Sequence, residues 1–394
     1  MSQKLINLSP DLKRLRDEGY TVAIKGGYLF VSDIPYVNGN KEIKIGTLVS
    51  ELDLASNTRT AIPSTHVIKF IGDYPCNNDG SMITAIHNST INQQILPGII
   101  AQHQFSCKPN PPYANYYEKI TRYAEIISNP AKSLNRNLTE KPFKIVHDED
   151  EESVFQYSDT NSSRANISVI SSKLHGQKIA IVGLGGTGSY ILDLVAKTPV
   201  KEIHLFDGDE FIQHNTFRSP GAISNDTLEA GDIKKVPYFK EIYSKMHKGI
   251  IAHPYKITAE NITELQGMSY VFICVDKNSV RKLVMEYLLS ISTPFLDTGI
   301  GVNVVNEKLT GQLRVTAATP VKNDHISNRV SSEDVEDVNE YSTNIQIAEL
   351  NALNATLAVI KWKKLSGFYH DLIEEHDSTY VINTSQLLNN DNTA

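Results

Sequence analysis

A chain of 394 residues is long enough to bury more than one core, and a formal net charge of -7 leaves no basic stripe to neutralise a nucleic-acid backbone. Its longest apolar runs, over residues 95–101 and 352–360, fall far short of the roughly 20 residues that cross a bilayer. Three cysteines, Cys76, Cys107 and Cys274, make neither a disulfide framework nor a Cys-x-x-Cys zinc pair, and with no secretory apolar segment at the start a cytoplasmic location is expected.

In chain order, residues 1–135 are expected to form a smaller α+β domain. A helix over 9–18 leads into β-type runs at 21–24, 28–31 and 66–70, separated by Gly26-Gly27 and Asn38-Gly39-Asn40. Beyond Pro109, Pro111 and Pro112, the spacing of Tyr117, Ile120, Tyr123, Ala124 and Ile127 predicts a helix over 116–127. This half carries no recognisable chemistry, and its Cys76, His87, His103 and Cys107 follow no metal-ligand spacing. A partner-binding or dimer-organising role is the expectation. Residues 136–165, with the acidic run His147-Asp-Glu-Asp-Glu-Glu152, read as a polar linker containing Arg164.

From Lys178 the pattern alternates strand and helix. The apolar run Ile179–Val182 predicts a buried parallel strand, and it enters a turn carrying Gly183, Gly185, Gly186 and Gly188. Tyr190, Ile191, Leu194 and Val195 then recur at helical spacing, so the turn amides and the helix N-terminus face one point beyond the strand. That point suits a phosphate. Further strands are expected at 202–206, 250–255, 270–275 and 294–297, with helices over 236–246 and 278–290. Such alternation predicts an α/β fold, a Rossmann-like mostly parallel sheet with ligand sites at the strands' carboxyl ends, where Asp207, Asp209, Asp276 and Asp297 fall.

Past residue 300 the period changes. Runs at 301–306 and 311–316 predict a hairpin that extends the sheet in antiparallel sense. A polar stretch follows, then a helix over 343–364 with an apolar stripe of Ile347, Leu350, Leu353, Leu357 and Ile360. A short strand over 379–382 closes this domain, 166–384, and residues 385–394 read as a disordered tail.

Glycine turn and Asp207 alone also suit a NAD-dependent oxidoreductase, with Asp207 on the ribose. The neighbouring segments Asp207-Gly-Asp209, Asn215-Thr-Phe-Arg218, Lys234-Lys235-Val and Asp276-Lys-Asn-Ser-Val-Arg281 point elsewhere. With the Gly-x-Gly-Gly-x-Gly loop before them, they follow the motif order of the ThiF/MoeB/HesA superfamily, the ubiquitin-activating type of adenylyltransferase, which the chain resembles over about 160–365. The stretches around 108–120 and 126–131 resemble the uncharacterised domain fused to such proteins in bacterial ubiquitin-like conjugation operons.

The resemblance implies ATP-dependent adenylation of the C-terminal carboxylate of a ubiquitin-like protein, with ATP and Mg2+ bound. Arg218 and a lysine, Lys234 in preference to Lys235, would supply positive charge, Asp276 would bind Mg2+, and Asp207 would hold the ribose. Asp209 and Asn215 would shape the phosphate pocket, unless they are a turn residue and a cap. Family members are commonly homodimers in which an upstream arginine reaches the partner's ATP, and Arg164 stands in about that place. A conjugating-enzyme-like protein is the expected second partner. One departure is plain: no cysteine follows Cys274, so the crossover loop at about 317–342 lacks the thiol that relatives use for thioester transfer. A hydroxyl there, Ser327, Ser331, Ser332, Ser342 or Thr343, would need His325 as base. The missing thiol also leaves open a non-catalytic scaffold.

Overall fold

The computed structural model describes residues 2–144, 153–165, 167–330 and 345–393. Two compact units divide the chain, one of Met1–Ser153 with Tyr157–Ala165, the other of Val154–Gln156 with Asn166–Ala394. The acidic run at 147–152 and the hydroxyls of Ser331, Ser332, Ser342 and Thr343 lie outside the described residues.

In the first unit the expected opening helix is Pro10–Asp17, and a further helix, Ser2–Leu8, precedes it. Pro10 explains the break, because its fixed φ favours a helix start and it cannot donate to the preceding turn. Eight strands follow: β1 (Thr21–Lys25), β2 (Tyr28–Val37), β3 (Ile43–Glu51), β4 (Leu54–Ser56), β5 (Arg59–Thr60), β6 (Val67–Ile71), β7 (His87–Leu96) and β8 (Ile99–Ser106). Six form an antiparallel sheet in the order β1-β2-β3-β6-β8-β7. Against it lies the helix Tyr116–Leu134, capped by the Asn115 side chain accepting from the Glu118 amide, with Tyr116, Ile120, Tyr123, Ala124 and Ile127 in the core. Tyr117, partly buried against that core, also lies beneath the Arg14 guanidinium, 3.8 Å from its ring centroid.

The second unit holds β9 (Lys178–Val182), β10 (Glu202–Phe206), β11 (Ile250–His253), β12 (Tyr270–Ile273), β13 (Phe295–Val305), β14 (Lys308–Ala318), β15 (Asp377–Val381) and β16 (Gln386–Asn390). Their order is β11-β10-β9-β12-β13-β14-β15-β16, parallel as far as β13 and antiparallel beyond. The hairpin between β13 and β14 turns on Asn306 and Glu307 alone, at φ 50° and 59°, the left-handed pair that matches strand twist. One face of the sheet packs on helices Gly186–Val195, Lys235–Tyr243 and Ala348–Leu365, the other on Asn278–Ser290. Chain order reverses between β9 and β12, which opens a crevice at their carboxyl ends.

Two expectations are corrected here. Residues 386–390 are not a disordered tail but the edge strand β16, paired with β15 from Asp377↔Asn390 to Val381↔Gln386. Polarity misled, because four of the five residues of β16 are exposed and neither face has to be apolar. The helix Ala348–Leu365 buries Asn351, Asn354, Ala355, Ala358, Val359 and Trp362, whereas Ile360 of the expected stripe is exposed. Small residues let this helix approach Gly186–Val195 closely, and that contact outweighs the burial of larger apolar side chains.

Candidate active site

Each glycine of the turn after β9 has its own reason. Gly183 has φ +94°, and a Cβ there would stand 2.6 Å from the Cys274 carbonyl oxygen. A Cβ on Gly188 would meet the Gly183 carbonyl oxygen at 1.9 Å, so helix and strand could not pack. Gly186 lies directly under the Asn351 amide, whose Oδ1 accepts from Thr187 Oγ1 at 3.1 Å. Gly185 differs, since a Cβ there would meet nothing within 4 Å. It caps the helix Gly186–Val195 and leaves its amide end approachable by an anion.

Asp207 closes this turn. Its Oδ2 accepts the Leu184 amide at 2.7 Å and its Oδ1 the Asp209 amide at 2.8 Å. The Lys235 ammonium sits 3.4 Å from Asp207 and 3.2 Å from Asp209, with its side chain 9% exposed. Lys234 is exposed, and its backbone bridges to Glu210. The structure thus brings Lys235, not the preferred Lys234, to the acidic pair: Lys234 is the N-cap, and Lys235 opens the first turn pointing inward. Lys256, which sequence reasoning missed, adds a second ammonium 2.8 Å from Asp209. Burial pushes the Asp209 carboxyl up, but its bond to Lys256 and the charge of Lys235 outweigh that and leave it below the usual carboxylate range. A signal for Lys256 existed only as proximity across strands, since a Cβ on Gly208 would touch the Lys256 backbone nitrogen at 3.0 Å.

Asn215 is a cap: it is 3% exposed and its Oδ1 accepts the Ile212 amide at 2.9 Å. Its carbonyl accepts the Arg218 amide at 3.2 Å, which fixes the base of that side chain. The Arg218 Nε is buried and unpartnered among the described residues. Burial and then the charges of Arg218 and Lys235 lower the His214 pKa, so both cations act on the same neighbourhood.

Asp276 follows β12 and is exposed, with no ion pair among the described residues. Among those residues no group of three or more His, Cys, Asp or Glu side chains converges as a metal cage. A lone free carboxylate beside an anion cradle is the donor set of Mg2+ shared with phosphate oxygens, so the residues present fit ATP and Mg2+. Burial pushes the Cys274 thiol up to about 12, which disfavours the thiolate that a nucleophile needs. His325 is 4% exposed and engages the Ala317 carbonyl through Nε2 at 3.0 Å, turned inward while Ser327 is exposed. Arg164 ends the short helix Thr160–Arg164 of the first unit. No helix among the described residues is long and apolar enough to cross a membrane.

Comparison with known proteins agrees with this frame. The model for a domain of unknown function, DUF6791, matches residues 10–160. Adenylyltransferase and sulfurtransferase UBA4 of Saccharomyces cerevisiae is 24% identical over 133 residues, 33% of this chain and 29% of that protein. The chain thus spans under a third of this curated relative's length. Among solved structures, E. coli MccB with ATP superposes with a TM-score of 0.46 at 16% identity, covering 58% of this chain and 71% of that one. E. coli tRNA N6-threonylcarbamoyladenosine dehydratase, TcdA, gives 0.41 at 20% identity, covering 52% and 92%. The ThiF family model matches residues 163–388, which take in the glycine turn and the sheet from β9 through β15, and the chain belongs to the ThiF family.

Proposed function

We propose that this protein adenylates the C-terminal carboxylate of a ubiquitin-like protein as the first step of a bacterial conjugation pathway. A carboxylate oxygen attacks the α-phosphorus of ATP, the bond from that phosphorus to the bridging oxygen breaks, and pyrophosphate leaves. The observation that carries this reading is the Lys235 ammonium paired with Asp207 beside the glycine turn, supported by Arg218, whose charge acts with that of Lys235 on His214, and by Asp276, which follows the strand next to β9. Arg218 and Lys235 would offset charge building on the phosphates, with Lys235 taking the part first given to Lys234. Asp207 would hold the ribose, Asp209 and Asn215 would shape the pocket, and the amides behind Gly185 would face phosphate oxygens. Mg2+ held by Asp276 would supply charge neutralisation on the triphosphate. Arg164 would reach the ATP of the second subunit in a homodimer.

With no cysteine after Cys274, the acyl adenylate is the product, or a conjugating-enzyme-like protein takes the acyl group directly. The test incubates the purified chain with ATP, Mg2+ and each candidate ubiquitin-like protein and reads the products by mass spectrometry. An adenylated C-terminus with matching pyrophosphate is expected. Binding of those proteins without adenylate would make the chain a scaffold, and nicotinamide binding indifferent to Arg218 and Asp276 would make it an oxidoreductase.

A further inference from the structure

Asp297 is fully buried near the start of β13, in register with Ile273 on one side and Thr316 on the other. A buried carboxylate needs a partner, and one guanidinium is enough. Asp297 has two. Arg281 Nε donates to its Oδ1 at 2.9 Å and Arg314 Nη2 to its Oδ2 at 2.5 Å, with the two arginine side chains 12% and 18% exposed. The guanidinium of Arg281 reaches further: Nη2 donates to the Val275 carbonyl at 2.6 Å and Nη1 to the Asn278 side chain. Val275 immediately precedes Asp276, and Asn278 opens the next helix. One planar fork therefore spans the turn that carries Asp276, holding its first carbonyl and its last side chain.

The strand beside it is adapted to the same end. Arg314 pairs in register with Gly299, where a Cβ would stand 3.0 Å from the guanidinium, so glycine lets the arginine lie across β13 and reach back to Asp297. Arg314 also engages Thr316 Oγ1, which donates to Asp377 on β15 at 2.7 Å. The carboxylate is thereby anchored from the antiparallel extension and, through Arg281, acts on the loop at the switch point.

We propose that Asp297 is a positioning residue, which through Arg281 sets the Val275–Asp276 turn in the orientation that lets Asp276 hold Mg2+. This rests on the adenylation reading in one respect, that Asp276 meets the metal of Mg-ATP. Groups that orient a metal ligand from behind typically change metal affinity by about tenfold or more when removed.

The experiment titrates ATP calorimetrically into the full chain at a series of Mg2+ concentrations and follows thermal unfolding in parallel. Asp297→Asn should raise the Mg2+ concentration for half-maximal enhancement of ATP binding by about tenfold, with the Mg2+-free ATP affinity unchanged. Arg281→Lys, which keeps a cation for Asp297 but loses the fork, should move it in the same direction and decides the matter if Asp297→Asn does not fold. A structural role alone would lower the folded fraction or the unfolding temperature and leave the half-saturating Mg2+ where it was. Folded variants whose half-saturating Mg2+ matches that of the unmodified chain overturn the positioning proposal by itself. An unmodified chain whose ATP binding ignores Mg2+ removes the adenylation reading and this inference together.

Discussion

The two units treat buried polar groups in opposite ways. In the N-terminal unit they close on one another: Asp11 accepts from Ser9, Thr60, the Leu12 amide and the Tyr116 amide, and Lys119 donates to Ser50 Oγ and the Thr65 carbonyl. In the C-terminal unit, Arg218, His325, Gln346, Asn351 and Asn354 each leave a buried side-chain atom unpartnered, and all such atoms among the described residues lie in that unit. A saturated network rigidifies its surroundings, while a buried polar atom without a partner must find one outside the fold.

The sharpest way to break that contrast is at Asp276. Asp276→Ala should abolish ATP–pyrophosphate exchange, by about a thousandfold or more, without altering the unfolding temperature, because an exposed carboxylate contributes little to the fold. Full exchange in that variant would end the assignment. Two glycines sharpen the contrast within one turn. Gly188→Ala, with its carbonyl contact at 1.9 Å, should cost about 3 kcal/mol of stability by denaturant unfolding. Gly185→Ala should fold normally and lose ATP affinity, and equal stability losses in the two would show that neither faces a ligand. Lys235→Ala should slow exchange by about a hundredfold and Lys234→Ala by less than about threefold, measured at saturating ATP.

The smallest effect belongs to the scaffold. Burial holds the Lys119 ammonium down to about 8, below the ordinary lysine value of 10.5. Between those values the unfolded chain binds more protons than the folded unit, so stability rises with pH across that window and levels off above it. The rise should be on the order of 3 kcal/mol at most, and Lys119→Met should flatten it in unfolding experiments run from pH 8 to 10.5. An unchanged slope would mean that Lys119 is hydrated.

Legibility followed the same division. The parallel strands were readable because burial on both faces demands unbroken apolar runs such as Ile179–Val182, and the glycine turn because Gly183, Gly185, Gly186 and Gly188 crowd directly behind such a run. Much of the N-terminal sheet was not, since β7 reads His-Asn-Ser-Thr-Ile-Asn-Gln-Gln, with residues 92–94 exposed and its register with β8 shifted at three places, so no period of two survives. The same polarity hid β16. The helix Ala348–Leu365 was found, but its face was not, because the pull of large side chains inward loses to close approach of two helices over small ones.

What the sequence determined by itself was the α/β class of the C-terminal unit, the succession of its strands and helices along the chain up to the hairpin, and a set of charged positions in motif order. Local spacing carries that information, since strand period and turn geometry act over a few residues. Only the tertiary structure decided which residues come together: Lys235 rather than Lys234 at the acidic pair, Gly185 as the turn glycine with open space around it, Lys256 from a segment with no motif, and the pairing of Asp297 with Arg281 and Arg314. Adjacent residues share a motif but point in different directions, and charges far apart in the chain meet only when the sheet sets its strands side by side.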